Sequence, residues 1–292
     1  MRGRGPNIAA GLTLLAAFTI AVGLGATGRP AAAQSLQNLK GGNAPLEISA
    51  DDGIEWRRDE QLYVARGNAL AVRGDISVYA DVMSAHYSAL AQGGTDIDRI
   101  DVEGNVRIAS PTESVYGDRG AYDVINGVLV LVGRDLRLIG ASDTITARDS
   151  LEYWERKNMA VARGDAVAVR GDKRIKADVL SAYFTPDQSG KTKLTRIEAF
   201  GNVRISTPTE FARGDHGVYF VEREFATLSG AVKITREENQ LNGEYAEVDL
   251  KSGVSRLLPG PPGTATSKRV RGLLVPKPRP KQPSPYPRIG QA

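Results

Sequence analysis

The stretch from Ile48 to Ser88 returns without a gap as Ile145 to Thr185, 97 residues further along the chain. Val64-Ala65-Arg66-Gly67 reappears as Val161-Ala162-Arg163-Gly164, Val72-Arg73-Gly74-Asp75 as Val169-Arg170-Gly171-Asp172, and Ala80-Asp81-Val82 as Ala177-Asp178-Val179. The correspondence runs on through Gly104-Asn105-Val106-Arg107-Ile108 and Gly201-Asn202-Val203-Arg204-Ile205, then through Pro111-Thr112-Glu113 and Pro208-Thr209-Glu210. A chain that repeats itself over this length builds one architecture twice. Each copy covers the apolar surface its neighbour leaves open.

Each long repeat divides again. Glycines that open an alternating stretch fall at Gly67, Gly104, Gly133, Gly164, Gly201 and Gly230, which sets a unit of about thirty residues. An acid follows most of these glycines at a fixed distance, as Asp81, Asp118, Asp178, Asp215 and Glu244. The Gly133 unit departs from the pattern, with Ala147 at that place and Asp149 as the nearest acid. After each glycine, apolar residues occupy every second position and charged ones such as Arg107, Arg137, Arg204 and Lys233 lie between them. Period-two alternation gives a strand one dry and one wet face. Gly-Asn, Gly-Asp and Asn-Gly pairs between the runs supply the positive φ that hairpin turns need. Pro111 and Pro208 mark equivalent strand ends, because proline cannot donate to a ladder. No segment beyond the first thirty-odd residues carries sustained helical periodicity, so the expected fold is all-β.

The two ends differ from this centre. Arg2 and Arg4 precede an apolar run from Ile8 to Leu24, and Ala31 and Ala33 supply the small residues of a cleavage site. Residues 1–33 therefore read as a signal peptide, with Gln34 as the mature start, residues 34–44 as a linker and the mature chain expected outside the cytoplasm. From Pro259 to Ala292 there are nine prolines, seven Lys or Arg and no acid, which reads as an extended, disordered basic tail. The sequence pI of about 9.2 is then a property of the ends. All 34 acids lie in the central region, which is net acidic, so the charge makes no case for a nucleic-acid partner. Cysteine is absent, which excludes disulfides, thiolate metal sites and cysteine nucleophiles.

The run "ISADDGIEW…VARGNALAVRGD…YADVMSAHY" and its echoes resemble the OstA-like domain of the LptA lipopolysaccharide-transport bridge family. The resemblance spans roughly Leu46 to Leu250. Lys268-Arg269-Val270 through Leu274-Val275-Pro276 adds a likeness to the family's C-terminal segment. It implies an open, twisted antiparallel β-jellyroll of short strands over residues 45–258, with repeats 48–144 and 145–241. It also implies an interior that holds lipopolysaccharide acyl chains, and end-to-end self-association. The partners it implies are an inner-membrane LptC-like and an outer-membrane LptD-like OstA domain.

The expected groove lining is Leu46, Ile48, Leu70, Val72, Val106, Ile108, Leu136, Leu138, Val167, Val169, Val203, Ile205, Val232 and Ile234. Periodicity alone leaves open whether these residues pack on each other or accept an apolar ligand. The four Arg-Gly-Asp triplets, beginning at Arg73, Arg163, Arg170 and Arg213, read as turns, and the recurring acids as turn or capping groups. His86 and His216 occupy inequivalent repeat positions and no serine elbow is present, so no triad, metal centre, cofactor or enzymatic role is expected. Trp56 and Trp154 read as packing at strand ends. Two other readings share much of this pattern. One is an LptC-like relative that keeps its N-terminal helix as a membrane anchor, and the other is a β-solenoid scaffold that binds no lipid.

Overall fold

The structure, a computed structural model, describes residues 46–90, 94–186, 192–264 and 267–275. The signal segment, the linker and the chain beyond Val275 lie outside the described residues. The alternating runs form eighteen strands of one sheet. The first repeat holds β1 (Glu47–Ser49), β2 (Gly53–Arg57), β3 (Leu62–Arg73), β4 (Ile76–Ala89), β5 (Thr95–Ala109) and β6 (Glu113–Asp123). Four short strands follow: β7 (Val128–Val132), β8 (Leu136–Gly140), β9 (Asp143–Ala147) and β10 (Ser150–Trp154). The second repeat continues with β11 (Met159–Arg170), β12 (Lys173–Pro186), β13 (Thr192–Ser206), β14 (Glu210–Phe220), β15 (Phe225–Arg236) and β16 (Asn239–Asp249). The sheet ends with β17 (Val254–Leu258) and β18 (Arg271–Leu273).

All pairings are antiparallel, and the long strands follow chain order as a meander of local hairpins. Where a long strand is interrupted, its two pieces lie end to end along the next one: β1 and β2 on β3, β7 and β8 on β6, and β17 and β18 on β16. The repeats join without a break, because β7 pairs with β10 and β8 with β9, and both β9 and β10 lie on β11. Arg271–Leu273 belongs to the segment that its composition marks as a mobile tail. Here it adds a strand to β16, tied by Lys268 to Glu244 at 2.9 Å and by the Val275 amide to Asn239 Oδ1 at 2.9 Å.

The Gly-Asn pairs correct the hairpin reading. Gly104-Asn105 and Gly201-Asn202 lie in the middle of β5 and β13, where the ladder shifts register on both sides. Both residues of each pair are left-handed, with φ of +77° and +47° in the first and +72° and +49° in the second. Two consecutive left-handed residues bend a strand sharply without ending it. The neighbouring strand bends at its recurring acid, whose carboxylate sits over the glycine. A Cβ on Gly104 would fall 2.0 Å from Asp81 Oδ2, and one on Gly201 2.2 Å from Asp178 Oδ2. Asn105 and Asn202 each donate Nδ2–H to those same carboxylates at 2.9 Å. Asp52 over Gly67, Asp149 over Gly164 and Asp215 over Gly230 repeat the arrangement. Together these pairs draw one line across the sheet.

The sheet folds along this line into two leaves that face each other. Of the Arg-Gly-Asp triplets, those at Arg73 and Arg170 cross hairpin turns, but those at Arg163 and Arg213 lie on the fold line within β11 and β14. Pro111 and Pro208 stand in the turns before β6 and β14. There Ser110 and Thr207 each donate their amide to the carbonyl of Glu113 and Glu210 at 2.9 Å.

Candidate functional site: an apolar seam between the leaves

Side chains that point inward from the two leaves form continuous cross-strand rows. On the turn side of the fold line, Ile48, Ala71, Val78, Ile108, Val115 and Leu138 are direct partners in succession. The same row continues through Ile145, Ala168, Ile175, Ile205, Ala212, Ile234 and Leu241. The facing leaf answers with Ile54, Ala65, Met83 and Val102, then Leu131, Leu151, Ala162, Leu180 and Ala199, and finally Leu228, Ala246 and Leu257. Nearer the fold line, Val106, Leu136, Val203 and Val232 are at most 1% exposed. They are opposed by small residues such as Gly117, Ala147 and Gly214. Large against small is the packing that lets two leaves close tightly beside a bend.

The structure sorts the fourteen positions marked in the sequence. Val106, Ile108, Leu136, Val203, Ile205, Val232 and Ile234 are buried in the seam, and Leu46, Ile48 and Leu138 pack against it half-buried. Leu70, Val72, Val167 and Val169 point to the opposite, outer face, and Val169 is exposed. In β3 and β11 both faces are apolar, so alternation does not say which is inward. The bend at Gly67 and Gly164 hands that place to Ala69 and Ala71 and to Ala166 and Ala168.

The free margin of the seam is polar. Arg170 pairs with Asp143, which raises the pKa of the guanidinium, and Arg236 reaches Glu210 at 3.5 Å while the Glu210 side chain stays 1% exposed. From the facing leaf come Tyr122, Tyr153 and Tyr219, all buried. Burial first, and then Glu224, pushes the Tyr219 hydroxyl up to about 12, while Arg170 acts to lower it. Tyr122 shifts the same way, by burial and by donating to Glu155 Oε1 at 2.6 Å, with Arg73 opposing. The Tyr122–Arg73 and Tyr219–Arg170 pairs are one electrostatic neighbourhood, repeated once in each half of the chain. Sequence reading missed this rim, although a signal was present: Arg73 and Arg170, Glu113 and Glu210, and Tyr122 and Tyr219 are all related by the same offset of 97.

The seam runs out at both ends of the sheet. Among the described residues, β1 and β2 pair on one side only, as do β17 and β18. Ile54 and Trp56 at one edge, and Val254 and Leu273 at the other, are exposed. Trp56 is not buried at its strand end. It donates Nε1–H to the Tyr87 hydroxyl at 2.7 Å and stacks on Tyr63. A separate cavity of about 440 Å³, bordered by Lys157, Tyr183, Phe184, Arg196 and Phe220, includes none of the fourteen positions.

Fold and seam together define an open, twisted β-jellyroll that presents an apolar path whose end strands, among the described residues, pair on one side only. The chain belongs to the family described as LptA/(LptD N-terminal domain) LPS transport protein, which it matches over residues 47–149 and 144–254. The two matched stretches begin 97 residues apart, which is the period of the duplication. An uncharacterized protein of Rhizobium meliloti (strain 1021) is 30% identical over 113 residues, which cover 37% of this chain and 60% of that protein. The chain thus spans about three fifths of that relative's length. It is also similar to the crystal structure of LptH, described as the LptA homologous periplasmic component of the lipopolysaccharide transport device of Pseudomonas aeruginosa. That likeness has 21% identity and a TM-score of 0.38, covering 46% of this chain and 95% of that one.

Proposed function

We propose that this lipopolysaccharide-transport family member works in the periplasm, holds lipopolysaccharide acyl chains between its two leaves, and bridges the inner and outer membranes. The observation that carries this reading is the pair of facing apolar rows, which run from the Ile48–Ile54 edge to the Leu241–Leu257 edge, with Gly120 and Gly217 standing in the second row without a side chain. A chain laid along such a path gains about 0.8 kcal/mol for each methylene it buries. It enters where the leaves end, by replacing contacts that one leaf now makes with the other. The tyrosine and arginine rim lies where the polar head leaves the seam and returns to water. Unpaired strands are normally an aggregation hazard. At the two ends of this sheet they form the surface on which another copy, or an LptC-like or LptD-like OstA domain, adds its own strand.

Photo-crosslinking from Ile108 and Ile205 in cells tests the reading. Lipopolysaccharide adducts at both sites are expected, with none from Val169 on the outer face. Adducts to protein alone at Ile108 and Ile205 would overturn acyl-chain binding and favour a scaffold.

A further inference from the structure

The two repeats use their outer face differently. In the first, one cross-strand row reads Tyr79, Arg107, Tyr116, Arg137 on β4, β5, β6 and β8. Each arginine lies over a neighbouring ring: Arg107 is 4.1 Å from the Tyr79 centroid and Arg137 is 4.3 Å from that of Tyr116. This row is satisfied by cation–π contacts and by the ion pair of Arg137 with Asp135. The equivalent row of the second repeat reads Lys176, Arg204, Arg213, Lys233 on β12 to β15. Both tyrosines have become cations, so four like charges stand directly opposite one another on adjacent strands, an arrangement that destabilises a sheet.

Lys176 is held by Asp165 at 3.0 Å, but Arg204, Arg213 and Lys233 have no carboxylate within 4.0 Å among the described residues. Of the nearby fold-line acids, Asp178 accepts from Asn202 and Asp165 is held by Lys176 and Arg148. Beside the row, Phe211 is exposed where the first repeat has Ser114, and Phe200 is exposed across the fold line where the first repeat has Glu103. Arg174 replaces Ser77 on the same face. In this one repeat, the outer face has gained cations and exposed aromatic rings together.

We propose that the outer face of the second repeat is a docking surface for an anionic phospholipid bilayer. Membrane phosphates neutralise the row of cations and relieve their mutual repulsion. Exposed rings beside the cations suit the boundary between headgroups and acyl chains, and distinguish this partner from an acidic protein. This surface lies on the opposite side of the sheet from the seam, so it is independent of acyl-chain binding.

The test is sedimentation of the full chain with vesicles of phosphatidylglycerol in phosphatidylcholine, compared with pure phosphatidylcholine. The chain is expected to bind the anionic vesicles alone and to release as salt is raised. The K176Y/R213Y variant restores the first repeat's pattern, so the fold accommodates it and its melting temperature should not fall. At about fivefold for each cation removed, it should bind the anionic vesicles roughly 25-fold more weakly, with the basic tail unchanged. Phe211→Ser should weaken the binding that survives at high salt. The converse variant Y79K/Y116R should bind more tightly. Equal binding by K176Y/R213Y and the parent would overturn the proposal. So would a parent that ignores anionic vesicles, which would leave an acidic protein as the occupant. Lipid adducts from Ile205 in the seam should persist in K176Y/R213Y while its vesicle binding falls, which separates this surface from the proposed function.

Discussion

Gly201→Ala is the sharpest probe of the fold line. Gly201 has φ +72°, and the added methyl would fall 2.2 Å from Asp178 Oδ2 and 2.9 Å from its Cγ, so the carboxylate has to move. Holding an alanine in the left-handed region costs about 1–2 kcal/mol. Moving Asp178 also loses the charge-assisted hydrogen bond from Asn202 at 2.9 Å, a further loss of about 1.5 kcal/mol at this exposed site. The expected destabilisation is therefore about 3 kcal/mol, read as a lower urea midpoint at unchanged slope. Gly171→Ala is the control. Its φ of +57° is equally left-handed, but nothing lies within 4 Å of the added carbon, so it should cost about 1 kcal/mol. In an Asp178→Ala background the Gly201→Ala penalty should shrink to the control's value, because the two residues in contact are coupled. Equal losses for Gly201→Ala and Gly171→Ala, or strict additivity with Asp178→Ala, would refute the account of the bend.

The two faces of the sheet should respond differently to truncation: Ile205→Ala is expected to cost about 2–5 kcal/mol and Val169→Ala less than about 0.5 kcal/mol in the same urea titrations. Similar losses would mean that the inward rows are assigned to the wrong face. The Tyr219 hydroxyl sets a dependence on alkaline pH. Its folded pKa, about 12, lies above the ordinary tyrosine value, so the unfolded chain releases that proton first. Stability should therefore fall as pH rises from about 10 towards 12. Tyr219→Phe should flatten that fall in melting temperature, and an unchanged slope would count against a buried, neutral Tyr219.

A good part of this protein was legible in its sequence, for identifiable reasons. The offset of 97, the period-two alternation and the absence of helical periodicity are local properties, and they lead to an all-β duplicated sheet and to the family. Seven of the seam residues, from Val106 to Ile234, were visible because their partners in alternation are charged, so one face had to be dry. The same logic failed in β3 and β11, where Leu70, Val72, Val167 and Val169 alternate with alanines and neither face is polar. Trp56 packs at its strand end, on Tyr63, yet stays exposed. Its exposure follows from standing on an edge strand that pairs on one side only.

By itself the sequence determined where the chain bends, because only glycine holds φ near +75° beneath a carboxylate, and the Gly-Asn pairs and their acids are written at fixed intervals. What those bends do was decided by tertiary structure. A left-handed pair closes a hairpin when the strands on either side pair with each other, and folds a strand when they pair instead with neighbours. Which of these occurs depends on partners many residues away. The facing leaves, the rim where Arg73 stands near Tyr122 and Arg170 near Tyr219, and the row of cations from Lys176 to Lys233 all arise from cross-strand register. Register is set by long-range hydrogen bonding and packing, and no single stretch of the chain contains it.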